Sequence, residues 1–147
     1  MPHRQAGRVN ILAIVVVVCV VLIVAVFAMG RQSPAEAGAK FMSALAKGDA
    51  TTLTDMTYLG DTPKEKVRKQ WDFATQDASK YYRFAWKISG TSQPNDHEAS
   101  VRLQVMRNLD SGGSYDENYQ LPMVKVNGEW KVDVHAISHE MYPALPR

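Results

Sequence analysis

Cysteine is nearly missing from this chain: Cys19 is the only one in 147 residues, and it lies inside an apolar run. The remainder can therefore hold no disulfide and no thiolate nucleophile, and cysteine usage does not separate an oxidising from a reducing compartment. No glycine-rich phosphate loop follows a strand pattern. Acidic residues are absent before Glu36, so all fifteen lie in the later part of the chain, against fourteen of the seventeen basic residues. That part is close to neutral, about −1, although the isoelectric point of the whole is near 8.7. A near-neutral domain without a basic stripe excludes nucleic acid as a partner.

What is present begins with a hydrophobic segment. Ile11 to Met29 reads ILAIVVVVCVVLIVAVFAM, without a charged side chain. As a helix it would cover about 28 Å, the thickness of a bilayer's hydrocarbon core. The rival reading, a cleaved signal peptide, shares the basic start at Arg4 and Arg8, but its apolar region normally stops at about 7 to 15 residues. Small-residue cleavage sites follow at Ala35-Glu36-Ala37 and Ala37-Gly38-Ala39. Val18 before Cys19 does not suit a lipoprotein signal. Arg4 and Arg8 balance Arg31 and Lys40 in the positive-inside count; the short acid-free tail favours a cytoplasmic N-terminus with the domain outside.

The expected division is a basic cytoplasmic tail at 1–10, a transmembrane helix at 11–30, a tether at 31–33, a domain at 34–138 and a C-terminal tail at 139–147. Only Gly30, Arg31 and Gln32 separate Met29 from Ser33. An extended chain gains at most about 3.6 Å per residue, which keeps the domain against the membrane.

Within the domain, Ser33-Pro34-Ala35-Glu36 is a capping box with proline at the first helical position. Ala37, Phe41, Ala44 and Leu45 follow at helical spacing, and Gly48 supplies a stop. A second short helix follows Asp49, with Leu53 and Met56 inward and Gly60 at its end. Thr62-Pro63-Lys64-Glu65 repeats the box, and Val67, Trp71, Ala74 and Ala78 form a third apolar stripe. Its other face carries Lys64, Lys66, Arg68 and Lys69, read first as a solvated face and otherwise as a contact for anionic lipid.

After Tyr81 the period becomes two. Tyr82, Phe84, Trp86 and Ile88 alternate with polar neighbours, as do Val101, Leu103, Val105 and Leu109; Tyr115 to Val126 and Trp130 to Ile137 complete four half-buried antiparallel strands. Asn127-Gly128 is a two-residue hairpin turn, so facing residues have numbers summing to 255 and Trp130 meets Lys125. Across Ser111-Gly112-Gly113-Ser114 the apolar phases agree only for a loop of odd length, expected as three or five residues.

Three helices followed by an antiparallel meander resemble the nuclear-transport-factor-2-like superfamily over residues 34 to 138. The resemblance rests on Phe41-Met42-Ser43-Ala44-Leu45-Ala46-Lys47-Gly48-Asp49, similar to an F-x-x-A-L-x-x-G-D opening, and on Val126-Asn127-Gly128-Glu129-Trp130-Lys131-Val132, similar to a closing hairpin. It implies an α+β cone: about three helices on a curved four-stranded antiparallel sheet, with a pocket between them. Tyr82, Phe84, Trp86, Leu103, Tyr119 and Trp130 are the residues that would line it.

The superfamily's isomerases and dehydratases are implied to place an Asp or His in that pocket. Asp133 and His135 fall on the outer phase. Arg107 and Glu117 alone share the inward phase as a charge pair, read as a structural ion pair between cross-strand neighbours. Lys125 shares that phase but can snorkel beside the turn. His135, His139 and Glu140 lack assured metal-ligand geometry.

The sequence accordingly reads as a non-enzymatic, membrane-tethered binding or assembly module, with no cofactor, metal or catalytic residue assigned. Its partners would be the membrane, another membrane protein or a second copy. The alternatives are a domain with a pocket for a small molecule, enzymatic or not, and a subunit of an envelope machine such as a type IV secretion system.

Overall fold

The computed structural model describes residues 18–21 and 32–147. The chain divides into two units, Met1–Arg31 and Gln32–Arg147. Of the first, only the helical residues Val18 to Val21 are described, so the expected span at 11–30 lies otherwise outside the described residues. Among the described residues no helix is long and apolar enough to cross a membrane.

In the second unit α1 (Pro34–Lys47) starts where the capping box places it. The Ser33 amide donates to Glu36 Oε2 at 3.0 Å and the Glu36 amide donates to Ser33 Oγ at 3.2 Å, satisfying two amides that the first turn leaves without helical acceptors. Gly48, left-handed at φ 69°, ends the helix. Asp49 caps α2 (Ala50–Met56), accepting from the Thr52 amide. Then comes α3 (Lys64–Tyr81), whose inward side buries Val67, Trp71 and Ala74.

The sheet corrects the expectation of four antiparallel strands. It has five strands, β1 (Thr57–Tyr58), β2 (Ala85–Ser92), β3 (Glu98–Arg107), β4 (Tyr115–Val126) and β5 (Glu129–Asp133), and is mixed, in the order β1-β5-β4-β3-β2. The addition is β1, parallel to β5. Two residues cannot display a period, so nothing in the local pattern announces this strand. Its place is set by α2, which stops at Met56 rather than Gly60 and delivers Thr57 to the sheet edge. The Thr57 hydroxyl donates to the Leu53 carbonyl at 2.7 Å and accepts from Trp71 Nε1 at 2.8 Å. One side chain thereby joins α2, β1 and α3.

The β4-β5 register follows the Asn127-Gly128 turn: Lys125 pairs with Trp130 and Met123 with Val132. Asn127 at φ 51° and Gly128 at φ 81° are both left-handed, as a type I′ turn requires. The β3-β4 loop is odd but longer than expected, running from Asn108 to Ser114, because Arg107 pairs with Tyr115.

The last strand stops at Asp133, where a 3₁₀ turn, Val134–Ala136, replaces the expected extension to Ile137. Residues three apart eclipse on such a turn, so Val134 and Ile137 both enter the core while Ala136 stays exposed. The chain then folds back across the domain, burying Met141, Tyr142 and Leu145.

Candidate functional site

Odd-numbered residues of β3 and β4 face the helices. Val101, Leu103, Val105, Leu121 and Met123 are fully buried in one core cluster with Phe41, Met42, Leu53 and Trp71. The same phase also carries Arg107, Glu117 and Tyr119. Arg107 Nε donates to Glu117 Oε2 at 2.9 Å and the Tyr119 hydroxyl donates to the same oxygen at 2.8 Å. The pair is diagonal, since Glu117 stands opposite Val105 and not Arg107. A long guanidinium stem spans that offset.

The rest of the guanidinium fork holds the C-terminal segment. Arg107 Nη2 donates to the Met141 carbonyl at 2.6 Å and to the Glu140 carbonyl at 3.1 Å. Burial works against the charge of Arg107, and its contacts with Glu117 and Tyr119 reverse this, leaving its pKa above the ordinary value. Hydrogen bonds from Arg107 and then Tyr119 hold the Glu117 carboxyl below its usual range. Burial, with the bond to Glu117, pushes Tyr119 up. A carboxylate held ionised by two donors is a poor proton acceptor at neutral pH, and a guanidinium does not act as an acid there. The trio positions chain, tying β3 and β4 to the C-terminal segment.

Tyr142 is buried in the same C-terminal segment. It is 1% exposed, its hydroxyl reaches the Ala74 carbonyl at 3.4 Å, and its ring lies 5.8 Å from that of Tyr82. Burial pushes its phenol up to about 12. Phe84 and Trp86 are half-buried against the core, Leu103 is fully buried, Tyr82 is 40% exposed and Trp130 is 4% exposed beneath Lys125, whose ammonium sits 5.3 Å from the ring centre. Of these residues Tyr82 meets the chain's own C-terminal segment through Tyr142, whereas Trp130 lies at the hairpin under Lys125. Nothing in the sequence pattern marks Met141, Tyr142 and Leu145 for this place, because an irregular segment has no period to read.

Asp133 is half-buried beside β1, and His135 is exposed on the 3₁₀ turn. His139 Nδ1 lies 3.3 Å from Arg147 Nη2. Among the described residues no three His, Cys, Asp or Glu side chains group as a metal site. On α3 the basic run is largely paired: Lys64 with Asp55, Arg68 with Asp72 and Lys69 with Glu65. A groove of about 390 Å³ runs between α3 and the C-terminal segment beside Phe73, which is 81% exposed.

No family model and no curated protein matches the chain. Similar solved structures include a ketosteroid isomerase-like protein from Erwinia carotovora atroseptica, with 16% identity, coverage of 65% of this chain and 85% of that one, and a TM-score of 0.47. An NTF-2 like protein of unknown function from Shewanella oneidensis has 12% identity, coverage of 66% and 88%, and a TM-score of 0.46. A SEC-C motif containing protein from Rhodopseudomonas palustris has 15% identity, coverage of 69% and 75%, and a TM-score of 0.48. These likenesses concern fold and carry nothing about activity. Structures described as ketosteroid isomerase-like and as NTF-2 like are thus among those similar to this chain.

Proposed function

We propose that this chain is a membrane-tethered, non-catalytic binding or assembly module that works close to the bilayer surface. One observation supports the non-catalytic part: Met141 and Tyr142 are buried, and the charged groups beside them, Arg107 and Glu117, are bonded to each other and, through Arg107, to that C-terminal segment. The apolar run Ile11–Met29 supports the tether, and the three residues before Ser33 support close apposition. A module so placed meets another membrane protein, a second copy or the lipid surface.

A flexible Gly/Ser insertion of about fifteen residues after Gln32 tests this reading in intact membranes, with chemical crosslinking as readout. Crosslinks of the unmodified chain should be lost or change in size; crosslinks that survive unaltered would remove close apposition from the mechanism. Were turnover of a substrate found, E117Q, D133A and H135A should each retain it within a few-fold. A loss of about a hundredfold, the size that general acid or base groups supply, would make the domain an enzyme.

A further inference from the structure

A second concavity lies away from the cone, where α1, α2, α3 and the β5 edge approach one another. It has a volume of about 380 Å³ and is lined by Lys40, Lys64, Lys131, Asp55, Glu129 and Trp130, among others. Three lysines face two carboxylates there, a cationic excess in a domain that is otherwise nearly neutral.

The geometry around Asp55 shows how the excess is kept. Lys64 Nζ lies 2.5 Å from Asp55 Oδ1, while Lys131 Nζ donates to the Asp55 carbonyl at 2.6 Å and stays 3.7 Å from Glu129. Lys131 is the anchored member, its side chain only 24% exposed. Lys40 has no ion pair among the described residues. The Asp55 carboxyl is held below the usual range first by the bond from Lys64, against some burial, and then by the charges of Lys64, Lys131 and Lys40. All three ammonium groups therefore act on one locus, where the two carboxylates, Asp55 and Glu129, leave a net excess of about one positive charge.

Gln32 also lines this pocket, three residues after the last apolar residue, Met29.

We propose that this pocket binds a phosphate-bearing anion, the headgroup of an anionic phospholipid, through Lys40, Lys64 and Lys131. The headgroup assignment rests on the membrane-tethered reading; the phosphate chemistry does not. Lysine ammonium groups suit a phosphate whose orientation is not dictated by a fork. The basic run along α3 is the weaker candidate, since Arg68 and Lys69 are already paired within their own helix.

Calorimetric titration of the full chain in dodecyl maltoside micelles decides the matter, with dioctanoyl phosphatidylglycerol as one probe and inorganic phosphate as the other. K40Q/K131Q should weaken phosphatidylglycerol binding about tenfold or more, and K66Q/K69Q less than about threefold. Inorganic phosphate should compete only weakly if the lipid is the source of the anion. Equal or tighter binding of inorganic phosphate, with the same lysine dependence, would replace the headgroup by a free phosphate. Unchanged affinity in K40Q/K131Q, or no binding of either probe, would overturn the site. Membrane fractionation of the same chain separates the two readings: a chain found in the soluble fraction ends the tether, and a membrane-bound chain with a silent pocket ends only the site.

Discussion

Arg107 and Tyr142 act at the same place by opposite physical means. Arg107 is a charge kept in a half-buried position by three acceptors, on Glu117, Glu140 and Met141. R107A should cost about 2 to 4 kcal/mol in denaturant unfolding, because Glu117 loses its counter-ion and two carbonyls lose a charged donor. A loss below about 0.5 kcal/mol would mean the fork is a surface ornament. Tyr142 is a neutral phenol held away from water, and burial raises its pKa from an ordinary value of about 10 to about 12. The folded state therefore keeps the proton more tightly than the unfolded chain. The stabilisation is complete below pH 10 and disappears as pH rises toward 12, a loss of roughly 2 to 3 kcal/mol. Stability measured across that window should fall in the natural chain and fall less steeply in Y142F. Parallel slopes would show that other phenols dominate.

Among the elements, the last ten residues carry more than their lack of regular structure suggests. They bury Met141, Tyr142 and Leu145, and the Arg147 amide donates to Gln70 Oε1 at 2.6 Å on α3. Three side chains of this kind, each worth about 2 to 5 kcal/mol when truncated, approach the whole stability of a small domain. Removing residues 139–147 should abolish the cooperative unfolding transition seen by circular dichroism or lower its midpoint steeply. A shortened chain that unfolds like the natural one would make the segment an appendage. The 139–147 boundary marks where period-two patterning ends, not where packing ends: tertiary contact with Arg107, Ala74 and Gln70 holds the segment.

For the whole molecule, the second unit contains every cap, strand and core residue described here. Residues 33–147 should therefore fold without the apolar run, giving a monodisperse domain with a single unfolding transition. Aggregation that persists at low concentration would mean that the N-terminal unit contributes to the core. W130A within that domain should cost about 3 to 5 kcal/mol, since the ring is 4% exposed and fills the end of the sheet beside β1.

Periodicity and capping chemistry are local, and they wrote much of this fold into the chain. The boundaries of α1, the strand phases of β3 and β4 and the Asn127-Gly128 hairpin each follow from a few adjacent residues. The core residues Phe41, Trp71, Val101, Leu103 and Trp130 follow from the same spacing. Tertiary structure alone decided the fifth strand, because two residues at Thr57–Tyr58 acquire their meaning from β5. It alone decided the diagonal register of Arg107 and Glu117, which depends on a loop longer than its Ser-Gly-Gly-Ser centre. It also brought Tyr142 into the core beside Tyr82, and Lys40, Lys64 and Lys131 around Asp55, residues that are far apart in sequence. Such groupings depend on how helices and sheet are packed in three dimensions, and no window of sequence contains that information.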